Sequence, residues 1–190
     1  MTRVEVVKVI QEHYNYQKYL EIGIKSRFTF DQIECKFKVG LDIRGACKPT
    51  YGAMSSDEYF ANEKYKDEQF DLVFIDGDHT KEQVEKDINN SLKRLLPNGT
   101  IVLHDMNPPD KDHFHKNLCG DGWEAFAKLR TTRKDLNMFC IPDDLGVGII
   151  QRGSQELYEE EIKSDWDFFK KHKNEIMKFV EFNKITRNLV

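Results

Sequence analysis

A chain of 190 residues has room for one hydrophobic core and needs neither a disulfide nor a metal to fold. Its 29 Lys and Arg against 33 Asp and Glu leave a net charge of −4, which argues against a nucleic-acid binder working through a basic face. No apolar run approaches the ~18 residues of a membrane span, and the charged N-terminus MTRVEVVKVIQEHYNY has no signal-peptide core, so no membrane partner is expected. Cys35, Cys47, Cys119 and Cys140 are scattered without a CxxC pair and read as reduced thiols of a cytoplasmic protein.

In chain order, residues 19–24 (YLEIGI) form a short apolar run that predicts a buried strand, with Glu21 near its end and Gly23 after it. Residues 38–43 (KVGLDI) predict a second, ending at Asp42. Residues 49–54 are a weaker strand candidate. Ser55, Ser56, Asp57 and Glu58 read as the N-cap and first turn of a short helix reaching about Asn62. Residues 70–76 predict a strand ending at Asp76. Residues 80–96 place Val84, Ile88, Leu92 and Leu95 on one helical face, and Pro97, Asn98 and Gly99 stop the helix. Residues 99–105 predict a strand ending in His104 and Asp105. Trp123 and Phe126 open an amphipathic helix, with core packing the default and a wall of the site the alternative. Residues 136–141 and 146–151, joined by four residues, must form an antiparallel hairpin. Residues 155–180 read as a charged helix with a packing stripe of Ile162, Trp166, Phe169, Ile176 and Val180. Strands alternating with helices predict an α/β fold with right-handed βαβ units and a mostly parallel sheet.

Such sheets bind ligands at the carboxyl ends of their strands, where this chain repeatedly sets an acid. One such acid is usually a turn residue or cap; four on separate strands crowd like charge and call for a ligand or cation. Asp42 follows Glu21 by about the ~20 residues that put an acid on a nucleotide's ribose diol. The phosphate-loop glycines and the P-loop Lys-Ser/Thr are absent, pointing to a nucleoside-type ligand without pyrophosphate. The densest cluster is Asp76-Gly77-Asp78-His79: a tight capped turn in the bland reading, a carboxylate for a hard cation beside an imidazole in the functional one. If their strands are adjacent, Asp76 and Asp105 lie close enough to share one ion. His113, His115 and Cys119 match no standard zinc spacing and read as a solvated loop or lid.

Together, EIG, GLDI, SSDEYF, FDLVFIDGDHTKEQVEKDI and LLPNGTIVLHD resemble class I S-adenosylmethionine-dependent methyltransferases, of the group with D-G-D-H-T and H-D strand-end motifs that includes sugar O-methyltransferases. The resemblance covers about residues 15–150. It implies a Rossmann-like seven-stranded sheet with helices on both faces, a methyltransferase domain over 1–153, and a C-terminal helical extension over 154–190. It implies that Glu21 and Gly23 contact the methionine moiety, Asp42 the ribose, and Met54, Ser55 and Ser56 the adenine. Asp76 belongs to both the cofactor and the metal sets. With Asp105 it would hold a divalent cation, usually magnesium, and His79 would be the catalytic base. Met106 stands where metal-dependent relatives carry Asn or Asp, leaving Asn107 or Asp78 to compensate.

The expected reaction is methyl transfer to a hydroxyl of a sugar or glycan. The rivals are a DxD-type metal-dependent glycosyltransferase, read from Asp76-Gly77-Asp78, and a non-catalytic nucleoside-binding module. The short segment before the first strand is compatible with one domain of a larger polypeptide.

Overall fold

The computed structural model describes residues 1–115 and 117–190. Its sheet has strands β1 (Lys18–Ile22), β2 (Phe37–Leu41), β3 (Phe70–Ile75), β4 (Leu95–Leu103), β5 (Leu136–Ile141) and β6 (Val147–Arg152) in the order β2-β1-β3-β4-β6-β5. The first four are parallel, while β6 runs antiparallel to both β4 and β5. Near-continuous burial along β1, β3 and β5 is what a sheet covered on both faces demands.

Helices α2 (Ser56–Ala61), α3 (Lys81–Arg94), α4 (Trp123–Thr132) and α5 (Trp166–Met177) supply apolar groups to the core on one face. On the other lie α1 (Arg3–Tyr14), a 3-10 turn at Phe30–Gln32 and α6 (Ile185–Asn188). Helix α1 follows from a Thr2/Glu5 capping box, and it buries Val4, Val6, Val7 and Ile10.

Three expectations fail. Leu95 belongs to β4 and pairs with Phe70, so α3 ends at Arg94 and Pro97, Asn98 and Gly99 lie within the strand rather than stopping the helix. The sheet has six strands among the described residues, because 49–54 does not join it. Pro49 has no N–H to donate, Gly52 turns at φ +86°, and the segment reaches β2 only where Thr50 bonds Gly40 and Met54 donates to the Asp42 carbonyl. The C-terminal helix is also shorter than read: only Trp166–Met177 of 155–180 is a long helix. Upstream, Tyr158 N donates to the Arg130 carbonyl and the Arg130 guanidinium donates to the Glu156 carbonyl, strapping an extended segment across the end of α4. Glu156 stands three and four residues before Glu159 and Glu160, like charges that would repel on one face of any helix there. Asp165 then caps α5 through Phe168 N at 2.8 Å. Trp123 and Phe126 are fully buried, so packing accounts for both.

Candidate active site

Strand register builds the site. Ile22 is level with Leu41 and Ile75, and Ile75 with Leu103. The next residue on each strand (Gly23, Asp42, Asp76, His104) therefore emerges at one rim. Asp76 N donates to the Ile22 carbonyl and His104 N to the Ile75 carbonyl, carrying the ladder to that edge. A cleft of about 900 Å³ opens there, lined by Gly23, Asp42, Met54, Ser55, Ser56, Asp76, His79 and Asp105. Gly23 has φ +90°, and a Cβ on it would collide with the Asp76 backbone, so the β1 and β3 ends meet only because it is glycine.

Glu21 does not line the cleft. Strand alternation turns it to the same side as Tyr19, whose hydroxyl donates to it at 2.5 Å, and it is 2% exposed. Burial pushes its carboxyl up to about 8 despite the Tyr19 bond. A carboxyl neutral in the fold and charged in the unfolded chain contributes stability below its ordinary value near 4.5, lost as pH rises through 8. Glu21→Gln is expected to abolish a decline of up to ~1.4 kcal/mol per pH unit in that window. Denaturant unfolding from pH 5 to 9 reads this; parallel curves for the two proteins would exclude a titrating Glu21.

At the opposite end, Asp42 accepts from Lys25 N at 2.8 Å and from Arg44, and the Arg44 fork holds its carboxyl down to about 2. Met54 and Ile43 bring apolar surface to the cleft; Ile43, 73% exposed, is a residue the sequence reading missed. The Ser55 hydroxyl is committed to a capping box with Glu58, and buried Ser56 accepts from Gln83.

The middle of the cleft is a charge network. Asp76 and Asp105 stand on neighbouring strands, and Asp105 is held at φ +63°. His104 lies beneath, its Nδ1 3.3 Å from a carboxylate oxygen of each and its Nε2 donating to the Asp144 carbonyl at 2.8 Å. Burial disfavours the charged ring, yet the two carboxylates outweigh it and raise His104 to about 10. Asp76, half-buried in the cleft, is lowered by His104 and His79 against the opposing effect of desolvation. Arg3, from the start of α1, places Nε 3.5 Å from Asp76 and also pairs with Asp144.

His79 presents Nδ1 to the Leu118 carbonyl, which only accepts, so that nitrogen carries the proton. Nε2, 3.6 Å from Asp76, keeps the lone pair. The Asp76 carboxylate beside it favours the protonated ring and, opposed by burial, raises its pKa. Gly122 N donates to the His79 carbonyl, fixing the turn against the loop before α4.

Asp76, His79 and Asp105 each offer a ligand atom within 4.8 Å of the others, and the two carboxylates suit a divalent cation beside an imidazole whose lone pair is left for the base. Asn107 adds no donor there, since its amide is taken up by the Pro142 carbonyl and Lys173. Of the loop cluster, His113 lines the cleft, His115 is exposed, and Cys119 is buried with its thiol 3.6 Å from Asp105. They form no common metal-binding group among the described residues.

A methyltransferase-domain family model matches residues 40–106, about a third of the chain, from within β2 to just past Asp105. No curated protein matches it in sequence. Among solved structures, the chain is similar to the S-adenosylhomocysteine-bound methyltransferase PaMTH1 of Podospora anserina, at 17% identity and TM-score 0.60, covering 80% of this chain and 78% of that one. It is also similar to the O-methyltransferase TomG of Streptomyces achromogenes, bound to S-adenosylmethionine, at 14% identity and TM-score 0.60 over 80% of each chain. MycE, a methyltransferase of mycinamycin biosynthesis in complex with Mg, S-adenosylhomocysteine and mycinamycin VI, aligns at 15% identity and TM-score 0.56, over 85% of this chain and 51% of that one. The fold is therefore the Rossmann-like methyltransferase fold. No helix among the described residues is long and apolar enough to cross a membrane.

Proposed function

We propose that the chain is an S-adenosylmethionine-dependent O-methyltransferase acting on a hydroxyl of a sugar or other vicinal diol, with a divalent cation and a histidine base. The observation that carries the reading is the convergence of Gly23, Asp42, Asp76, His79 and Asp105 on one cleft. S-adenosylmethionine brings a methyl group already activated on a sulfonium. The protein therefore has mainly to align donor and acceptor, an effect worth ~7–11 kcal/mol. Asp42 takes the ribose hydroxyls, Ile43 and Met54 cover the adenine, and the glycine bend at 23 admits the methionine end. Glu21 supports that bend from below instead of touching the cofactor.

Asp76 and Asp105 hold the cation, usually magnesium in such sites, which supplies Lewis acidity toward an acceptor oxygen. His79 Nε2 receives the acceptor proton while Nδ1 keeps its own, donated to the Leu118 carbonyl. The Mg in MycE and the chelating geometry of a vicinal diol support this assignment. The free cysteines support a reducing, cytoplasmic setting.

Calorimetric titration with S-adenosylhomocysteine tests the cofactor site. Transfer of labelled methyl to a panel of sugars, with EDTA and then magnesium, tests the rest. Full transfer in EDTA would remove the cation. A melting temperature raised by UDP-sugars and not by S-adenosylhomocysteine would favour the glycosyltransferase reading.

A further inference from the structure

Asp42 is already engaged by a side chain of its own strand end. The Arg44 guanidinium folds back on it as a fork, Nε 2.8 Å from Oδ1 and Nη2 2.8 Å from Oδ2. Each oxygen accepts one further bond from the backbone, Oδ1 from Arg44 N at 2.9 Å and Oδ2 from Lys25 N at 2.8 Å. The two backbone donors belong to the loops that frame the carboxylate. The guanidinium pair is replaceable, and two donors directed at the two oxygens are what a vicinal diol also offers.

Exposure separates the partners. The Asp42 side chain is 4% exposed and the Arg44 side chain 52%, so the arginine can leave for water while the carboxylate stays in place. Resting on the assignment of Asp42 to the cofactor ribose, we propose that Arg44 is a built-in competitor for that site. It forms a latch that closes on Asp42 in the empty cleft and must swing out before a nucleoside diol can bind. Apparent cofactor affinity is then the intrinsic affinity reduced by the fraction of molecules whose latch is open.

Titrating S-adenosylhomocysteine into wild type, Arg44→Ala and Arg44→Lys by calorimetry tests the latch. Arg44→Ala is expected to bind ~3- to 10-fold more tightly, the size set by the closed fraction of an exposed ion pair. Arg44→Lys, which keeps the charge and loses the fork, falls between the two. The ligand-free melting temperature of Arg44→Ala should not rise, so that tighter binding is not a by-product of a more stable fold. Equal or weaker binding by Arg44→Ala, with wild type binding normally, overturns the latch and leaves the cofactor assignment standing. No binding by any of the three proteins overturns both.

Discussion

His79→Asn is expected to lower methyl transfer by about 10²- to 10⁴-fold, the usual contribution of a positioned general base, while leaving S-adenosylhomocysteine affinity nearly unchanged. The separation arises because His79 stands with the carboxylates in the middle of the cleft and Asp42 at its other end. The Leu118 carbonyl fixes the tautomer, leaving Nε2 as the only basic nitrogen of the neutral ring. Asp76 raises the pKa of that ring, against the opposing effect of burial. A base works in its neutral form, so kcat should climb with pH as the ring gives up its proton and then level off. That rising limb should vanish in His79→Asn. A limb that persists unchanged would pass the role to another group, with His113, which also lines the cleft, first in line.

The parts of this arrangement written locally were legible in the sequence. Buried parallel strands are short apolar runs, and the acids closing them at 42, 76 and 105 mark the rim wherever the register falls. The adjacency of β3 and β4, on which the shared site of Asp76 and Asp105 depends, holds. Glu21 carried the same signal, but one residue of offset turned it beneath the sheet rim, toward Tyr19. Strand alternation predicts that turn once the register with Leu41 and Ile75 is known, and register is a tertiary property.

Residues 49–54 looked strand-like because Tyr51, Ala53 and Met54 are apolar. Pro49 and the turn at Gly52 leave too few donors in line for a ladder. Arg3 was hidden for another reason: the Thr2/Glu5 capping box is a readable helix start, but nothing local says that this helix end abuts Asp76. His104 reads in the sequence as a second imidazole at a strand end, but nothing local says that two carboxylates close over it.

Replacing His104 should expose how much the acid pair depends on that ring. His104 has a side chain 6% exposed and faces Asp76 and Asp105 at 3.3 Å through one nitrogen, with the other donating to Asp144. Both nitrogens are donors, so the ring is an imidazolium, and its charge offsets two carboxylates of which Asp105 is as buried as the ring itself. His104→Asn keeps a donor but removes the cation. Loss of one partner from a buried ionic cluster costs about 3 kcal/mol. A side chain whose folded pKa, about 10, lies above its ordinary 6.5 contributes stability fully below 6.5 and loses it as pH rises toward 10. The gap between wild type and variant should therefore be widest near pH 6 and narrow through alkaline pH. Magnesium should raise the melting temperature of His104→Asn more than that of wild type, because the paired carboxylates then lack their internal cation. Denaturant unfolding at several pH values, with magnesium and with EDTA, measures both effects. A variant as stable as wild type at pH 6 would mean that Arg3 and His79 suffice to hold the acids together.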